Sequence, residues 1–340
     1  MTPDPVPLLA LVILVALVLY ALSGGADFGG GMWDLVATGP RARRQREAIE
    51  EAIAPIWEAN HVWLILVVVV LFTAFPPAFA ATMTALHVPL TLVLLGIVAR
   101  GAAFAFRKYD VPDDRVHRRW STIFGVASLL TPFFLGASLG ALASGEIRLA
   151  GGVVTTGFLA GWPRPFALGC GLFAQALFAF LAAVYLTVDT QGEPDLQEDF
   201  RRRALGAGLG VAPVAVGVLL LARTGAPVVF AALTSRRAVP LLVATALAAA
   251  GALAALWRRR FRLARALAVV EVTGVLVGWG LAQYPYAIIP DLTFHAARGP
   301  AVTLRLLTWA LALGALVLVP SFAYLLRVFK GARPPRGAAP

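Results

Sequence analysis

The chain alternates long apolar runs with short polar segments, and many of the runs approach the 20 or so residues that an α-helix needs to cross a bilayer. Nine runs meet this length approximately, so the pattern predicts nine membrane-spanning helices. They lie near residues 8–22, 53–75, 79–98, 123–143, 166–188, 204–222, 239–257, 266–283 and 303–326. The first run is short, but it continues through a Gly-rich stretch, 23–35, that can stay helical if it is buried against other helices.

The polar segments between these runs are short, which predicts a single membrane domain over residues 1–340 without a separate soluble domain. A polar break near 189–199 divides a front group of five predicted helices from a back group of four. The front group is richer in polar and special residues, so we expect function to concentrate there. The Ala-, Leu- and Val-rich back group is typical of helix packing through small residues and of contact with lipid.

Composition agrees with lipid as the main solvent, since 59% of the residues are hydrophobic and the mean hydropathy is +0.80. The net charge of +11 does not indicate a nucleic-acid partner, because most of the 29 Lys and Arg residues fall in alternate inter-helix segments. The positive-inside rule then predicts an outer N-terminus, an inner C-terminus and an odd number of helices. We expect the first helix to be retained, because no positive charge precedes it. The single cysteine, Cys170, excludes an internal disulfide.

Ionisable side chains within a bilayer cost about 2.5–3.5 kcal/mol each, so each should be paired, hydrated or functional. Asp27, Glu58 and Glu271 all fall in the inner half of the predicted topology. Asp27 lies among glycines whose spacing is typical of a helix-packing face, but such a face does not require a carboxylate. Asp27 therefore needs a donor, either Arg100 or a water chain.

Arg100 lies deeper than Arg107 in the third predicted helix and is the favoured cation to pair with Asp27 or Glu58. Arg107 lies at the end of this helix, where its long side chain can extend to the membrane interface and keep its charge in water. For Glu271, neutralisation by Arg262 or Arg265 through one or two helix turns is favoured.

The most informative segment begins the second predicted helix and contains Trp57, Glu58, Asn60, His61 and Trp63. One interpretation is an interfacial belt, with both tryptophans as anchors and the polar groups in headgroup water. The other is a buried proton-handling pair, because Glu58 and His61 are three residues apart and share a helix face. Glu58-x-x-His61 is also half of a di-iron motif, but the other half is missing.

Haem ligation by His61, His87 or His295 is a further alternative, since histidines within membranes often hold b haems. The predicted depths of these histidines do not match, with His87 near the middle of the third helix and His295 in an outer loop. We therefore expect neither a metal nor a haem on this chain.

Three stretches resemble subunit II of cytochrome bd type quinol oxidases, and the cyanide-insensitive branch of that family in particular. They are GGADFG at 24–29, PIWEANHVWLI at 55–65 and RGAAFAFR at 100–107. The resemblance extends over essentially the whole chain in length, helix number and orientation. It implies two four-helix bundles, 1–143 and 165–283, followed by a peripheral helix at 303–327 and a cytoplasmic tail at 328–340.

The resemblance also implies a function in the inner membrane of a bacterium. The homologous subunit I would carry two b haems and one d haem, oxidise quinol and reduce oxygen to water, while this subunit carries no haem and stabilises its partner. Glu58 would bring cytoplasmic protons toward the oxygen-reducing site, with Asp27 and His61 as further members of the path. Some members hold a structural quinone, and lipid and small single-helix subunits are further candidate partners. Relatives often have Glu where this chain has Ala105, so a carboxylate has no role at this position here, and Glu58 and Asp27 become the main candidates for the proton path.

The leading hypothesis is thus a stabilising and proton-conducting subunit of a quinol oxidase that is not catalytic alone. A proton-coupled secondary transporter would also use buried carboxylates near Gly-rich helices. A purely structural subunit is the third alternative.

Overall fold

The structure is a computed structural model that describes residues 4–54, 57–109 and 114–330; the side chains at 107–109, 114–118, 326, 329 and 330 also lie outside the described set. Within these residues, eight helices are long and apolar enough to cross a membrane. A ninth span is added if one sharply bent helix pair is counted as a single span. The predicted all-α membrane fold is confirmed.

Twelve helices and two short β-hairpins make up the described chain. The front half contains α1 (Pro5–Leu35), α2 (Ala42–Ile53), α3 (His61–Ala74), α4 (Pro76–Ala85), α5 (His87–Tyr109), α6 (Asp114–Ser144) and the hairpin β1 (Leu149–Ala150) and β2 (Val153–Val154). The back half contains α7 (Pro165–Asp189), α8 (Pro194–Gly225), α9 (Pro227–Leu233), α10 (Val239–Trp257), α11 (Phe261–Gln283), the hairpin β3 (Tyr286–Ile288) and β4 (Leu292–Thr293), and α12 (Ala301–Lys330).

The long helices run back and forth between two ends of the protein. We call one the basic end, which carries Arg41, Arg201 and Arg260, and the other the hairpin end, which carries both β-hairpins. Asp4 lies at the hairpin end, where its carboxylate is 3.5 Å from the ring nitrogen of His295. The last long helix, α12, runs from the hairpin end to the basic end. Which end faces the cytoplasm stays a prediction.

The two β-hairpins are joined by an ion pair outside the membrane-spanning helices. Arg148 donates two hydrogen bonds to Asp291, with Nε–Oδ2 at 2.8 Å and Nη2–Oδ1 at 3.0 Å. The backbone N–H of Leu149 donates a third to Asp291 Oδ2 at 2.8 Å. The hydrogen bonds from Arg148 hold the pKa of Asp291 below its ordinary value. The carboxylate therefore stays charged and ties the loops of the two halves together.

The predicted end of the second span, 53–75, agrees with the end of α3, but the third predicted span, 79–98, starts too early. α3 ends at Ala74, and α4 leaves it at an angle of 119°. The bend follows from Pro76 and Pro77, because proline lacks an N–H and disfavours helical geometry in the residue before it. Phe75 accordingly has φ −133° and ψ 57°.

The next span is α5, which starts at His87 and runs to Tyr109. His87 therefore lies at the beginning of a helix and is exposed, not near the middle of one as predicted. Arg100 lies well inside α5.

The residues before α3 also differ from the prediction. Residues 42–53 form the amphipathic helix α2, whose buried side chains are Gln45, Ile49 and Ile53. Residues 57–60 form a turn. Glu58 therefore precedes the membrane helix instead of lying within it.

Glycines let α1 approach α6 and α7 closely. A Cβ atom on Gly29 would lie 2.0 Å from the backbone oxygen of Phe178 in α7. One on Gly31 would lie 2.1 Å from Ser128 Oγ in α6. The predicted packing face of small residues is confirmed, and it places the backbone of α1 directly against its neighbours.

We predict that Gly29→Ala lowers the stability of the folded protein by about 1–3 kcal/mol, the usual cost of overpacking a core. The reason is the collision with a backbone atom, which cannot rotate away. Gly206→Ala in α8 is the matched control, because a Cβ there meets nothing within 4 Å. Thermal unfolding in detergent would compare the two variants. Equal midpoints would contradict the close contact between α1 and α7.

Candidate functional site

The polar centre of the protein is a buried ion pair between α1 and α5. Arg100 Nη2 lies 2.6 Å from Asp27 Oδ1, and Arg100 Nη1 lies 2.9 Å from Asp27 Oδ2. Arg100 Nη2 also donates to the backbone oxygen of Asp27 at 3.2 Å. Both side chains are only 2% exposed. Of the two partners that the sequence left open for Arg100, the structure thus shows Asp27.

A third helix completes the hydrogen bonding of the pair. Arg100 Nε donates to Ser128 Oγ of α6 at 3.0 Å, and Ser128 donates onward to the backbone oxygen of Phe124 at 2.7 Å. The guanidinium carbon lies 5.1 Å from the ring centre of Phe28 and 4.7 Å from that of Phe124. Aromatic faces stabilise a cation through their negative quadrupole, especially where water is excluded. The pair is therefore matched in charge, hydrogen bonds and packing.

A cavity of about 250 Å³ extends from this pair toward the basic end. It is bounded by α1, α2, the 57–60 turn, α7, α11 and α12. Its polar lining comes from Ser23, Asp27, Asn60, Tyr185, Asp189 and Arg265, and most of the remaining lining is apolar. On the side of the basic end, Arg265 Nη1 lies 3.9 Å from Asp189 Oδ1, and the Arg265 guanidinium lies 4.6 Å from the Tyr185 ring centre. The cavity thus has a charged group at both ends.

Several buried polar atoms near the cavity have no protein partner among the described residues. Both amide atoms of Asn60 are in this state, although the residue is 0% exposed. The same holds for Tyr20 Oη, His61 Nδ1 and Trp63 Nε1. The rings of Tyr20 and His61 are 6.1 Å apart. Leaving a buried donor or acceptor unmet costs about 1–3 kcal/mol, so this contact between α1 and α3 is suited to water.

The residues of the Trp57–Trp63 segment occupy different environments. Trp63 is buried and packs against Phe322 of α12 at 5.3 Å between ring centres. Trp57 is partly buried and packs against Phe104 of α5 at 5.2 Å. The interfacial-belt interpretation is therefore wrong for Trp63, which contacts protein.

Glu58 is exposed, and its side chain has no hydrogen bond or ion pair among the described residues. The prediction that Glu58 and His61 form a buried pair on one helix face is therefore wrong for Glu58, because residues 57–60 form a turn before α3 begins. His61 is partly buried. The Arg107 side chain lies outside the described residues.

The histidines predicted as alternative haem ligands lie apart from one another. His61 lies at the start of α3, on the side of the cavity. His87 and His295 are at the hairpin end, where His87 Nδ1 is 2.9 Å from the backbone oxygen of Thr84. In the described part of the chain, no group of three or more His, Cys, Asp or Glu side chains is arranged to hold a metal ion.

The expected partners of Glu271 were wrong. Glu271 is 5% exposed, and its Oε2 has no hydrogen-bond partner within the described residues. Arg265 pairs with Asp189 of α7 instead, because the end of α7 lies beside it.

Sequence reasoning also missed Tyr20, Ser128 and Tyr185. Tyr20 precedes Asp27 by seven residues and so shares its helix face, which is a signal that could have found it. The other two come from distant parts of the chain.

Comparisons with known proteins agree on one family. The family model described as "Cytochrome bd terminal oxidase subunit II" matches residues 7–329. "Cytochrome bd-I ubiquinol oxidase subunit 2" of Escherichia coli (strain K12) is 29% identical over 194 residues, which cover 55% of this chain and 49% of the relative. The match thus spans about half the length of that relative. "Putative cytochrome bd menaquinol oxidase subunit II" of Bacillus subtilis (strain 168) is 24% identical over 320 residues, covering 92% of this chain and 91% of the relative.

A solved structure shares the fold. A chain of the bd oxidase from Geobacillus thermodenitrificans matches with a TM-score of 0.80 and 21% sequence identity, covering 96% of this chain and 99% of that chain.

We predict that Asp27→Asn and Arg100→Gln each lower the free energy of unfolding by about 3–5 kcal/mol, because each strands a buried charge. The double variant should lose less than the sum of the two. Denaturant unfolding in detergent would measure the cycle. Arg43→Gln is the control, since Arg43 pairs with Glu47 at 2.9 Å on the exposed surface, and such pairs contribute about 0–1 kcal/mol. Additive losses for the buried pair would contradict this account.

Proposed function

Since this chain belongs to the cytochrome bd terminal oxidase subunit II family, we propose that it is the haem-free subunit of a quinol oxidase. In this proposal it stabilises a haem-bearing subunit I and conducts protons toward the site on subunit I that reduces oxygen to water. The chain is a multi-pass protein of the bacterial inner membrane. Because the chain belongs to an oxidase subunit family, we no longer consider the alternative of a proton-coupled secondary transporter.

The observation that carries the proton-conducting role is the cavity between the basic end and the Asp27–Arg100 pair. Water occupies about 30 Å³ per molecule in the liquid, so about 250 Å³ has room for several molecules. The positive-inside rule favours a cytoplasmic basic end. The cavity would then open toward the side from which protons for oxygen reduction are taken.

The lining residues suit a chain of water molecules. The buried amide of Asn60 has donors and an acceptor without protein partners, so it can orient water on both sides. Glu58 is exposed two residues earlier and is placed to collect protons from solvent. His61 follows at the start of α3, where its free Nδ1 can exchange a hydrogen bond with the same water.

We assign Asp27 an electrostatic part. Both of its carboxylate oxygens accept hydrogen bonds from Arg100, so the pair holds it in place at the inner end of the cavity. Its charge orients water there, while the proton moves along the water chain. In this scheme, protons from quinol are released on the outer side and protons for water are taken from the inner side. The oxidase thereby generates a membrane potential without a pump.

Other expectations about partners stay predictions. These are the two b haems and one d haem on subunit I, a structural quinone, lipid, small single-helix subunits and membership in the cyanide-insensitive branch. Unchanged oxygen consumption in both of the following experiments would instead favour a purely structural role for this chain.

We predict that Ala52→Leu lowers oxygen consumption by the assembled complex several-fold, because Ala52 lines the cavity and a larger side chain displaces water. Ala48→Leu is the matched control, one helix turn earlier in α2, also partly buried but outside the cavity lining. Oxygen uptake with a quinol substrate would be measured together with the visible spectrum. Unchanged turnover of a fully assembled Ala52→Leu complex would argue against a path through the cavity.

We also predict that Glu58→Gln slows oxygen consumption while the haem content of the complex stays the same. The amide cannot deliver a proton, although its size is nearly equal. Glu47→Gln is the control, because Glu47 is also an exposed carboxylate near the basic end and pairs with Arg43. The two variants should differ most at high pH, where protons are scarce. Equal turnover in both would remove Glu58 from the path.

A further inference from the structure

A second cleft, of about 360 Å³, lies at the basic end and is separate from the cavity. It is formed between the α7–α8 turn and the α10–α11 turn. One side is lined by Val188, Gln191 and Gln197, and the other by the continuous segment from Arg259 to Leu263. No lining residue is shared with the cavity that reaches Asp27. The proposed proton path therefore does not use this cleft.

Two arginines of the cleft lack the acidic partners that other arginines of the basic end have. The paired ones are Arg41 with Asp199, Arg44 with Glu193, Arg201 and Arg259 with Glu198, and Arg265 with Asp189. In the part of the chain that the structure describes, neither Arg260 nor Arg262 takes part in an ion pair or a side-chain hydrogen bond. Both are exposed. The cleft thus has uncompensated positive charge and is suited to an anion.

The backbone at the α10–α11 turn concentrates this charge. Arg259 N–H donates to the Leu256 oxygen at 3.1 Å, and Arg260 N–H donates to the Ala255 oxygen at 2.8 Å. This is the hydrogen-bond pattern of a Schellman motif, in which glycine usually takes the left-handed position. Here Arg259 takes it with φ 58°, and its side chain is held 3.0 Å from Glu198 Oε2.

α11 begins directly after this turn, and within the described residues its N-cap position, Arg260, makes no side-chain capping hydrogen bond. The first backbone N–H groups of a helix attract anions. These groups lie beside Arg260 and Arg262 and add to the positive potential of the cleft.

The surface beside the cleft is apolar. Trp257 is 72% exposed at the end of α10, at the position where tryptophans settle in the membrane interface. Leu263 and Val270 of α11 are also exposed, and their spacing of seven residues puts them on one helix face. An anion held at Arg260 and Arg262 would therefore lie at the basic end of an exposed apolar surface.

We propose that this cleft binds the headgroup of an anionic phospholipid. Its phosphate would lie between Arg260 and Arg262 at the start of α11, and its acyl chains would run along Leu263 and Val270. Basic pockets between membrane helices are known to bind such headgroups. A free phosphate would use the same arginines but would gain nothing from the apolar face, so the structure favours the lipid.

The test is a titration of the detergent-purified complex containing the full chain with dioctanoyl phosphatidylglycerol, with bound lipid counted by native mass spectrometry. The affinity for this lipid should fall about five-fold in each of the single variants Arg260→Gln and Arg262→Gln. This ratio corresponds to about 1 kcal/mol per basic residue. Arg258→Gln is the matched control and should bind as the unmodified protein does, because Arg258 lies in the same turn but outside the cleft.

The unmodified protein provides a second measurement that does not depend on how the variants fold. Dioctanoyl phosphatidylcholine should bind more weakly than phosphatidylglycerol, and inorganic phosphate at the same concentration should not displace the lipid. Equal binding by the Arg260→Gln and Arg258→Gln variants would overturn the proposal. Displacement by equimolar inorganic phosphate would do the same, since it would identify a site for free anions.

Discussion

The ion pair of Asp27 and Arg100 is the constraint on which the packing of the front half depends. Removing two charges from water costs several kcal/mol for each ion, and only good geometry with further hydrogen bonds offsets that cost. Here the carboxylate, the guanidinium and Ser128 satisfy one another across α1, α5 and α6. Gly31 belongs to the same arrangement, because a side chain there would occupy the position of the Ser128 hydroxyl. A shift of one helix along another would leave a buried charge without its partner, so the pair fixes the register of all three.

The basic end has two polar regions of different character, and the Asp27–Arg100 pair borders only one of them. The cavity ends on a neutral ion pair, which can order water without attracting a permanent counterion. The cleft at Arg260 and Arg262 has the opposite character, since its arginines have no acidic partner among the described residues and are exposed at the surface of the chain. One region is thus suited to water and protons inside the protein, and the other to an anionic ligand at its edge.

Much of this architecture could be predicted because lipid leaves few choices. Backbone groups must bond within a helix, and a buried arginine must find an acid, so the helical fold and the Arg100–Asp27 pair were accessible from the sequence. The break after Phe75 agrees with the predicted end of the second span, but the short helix α4 and the start of α5 at His87 were not predicted, because hydropathy stays high from residue 79 onward. The position of Glu58 was also missed, since an apolar run locates a helix end only within several residues. Glu271 and Arg265 share a helix, but the tertiary contact with Asp189 outweighs that proximity. The two-bundle division and the membrane orientation stay predictions.

The bend after α3 has a consequence for how this segment spans the membrane. At 1.5 Å per residue, the 14 residues of α3 span only about 21 Å, whereas the hydrocarbon core of a bilayer is about 30 Å thick. α3 alone is therefore too short to cross the hydrocarbon core, and only together with α4 does this segment reach the length and apolarity of a membrane span.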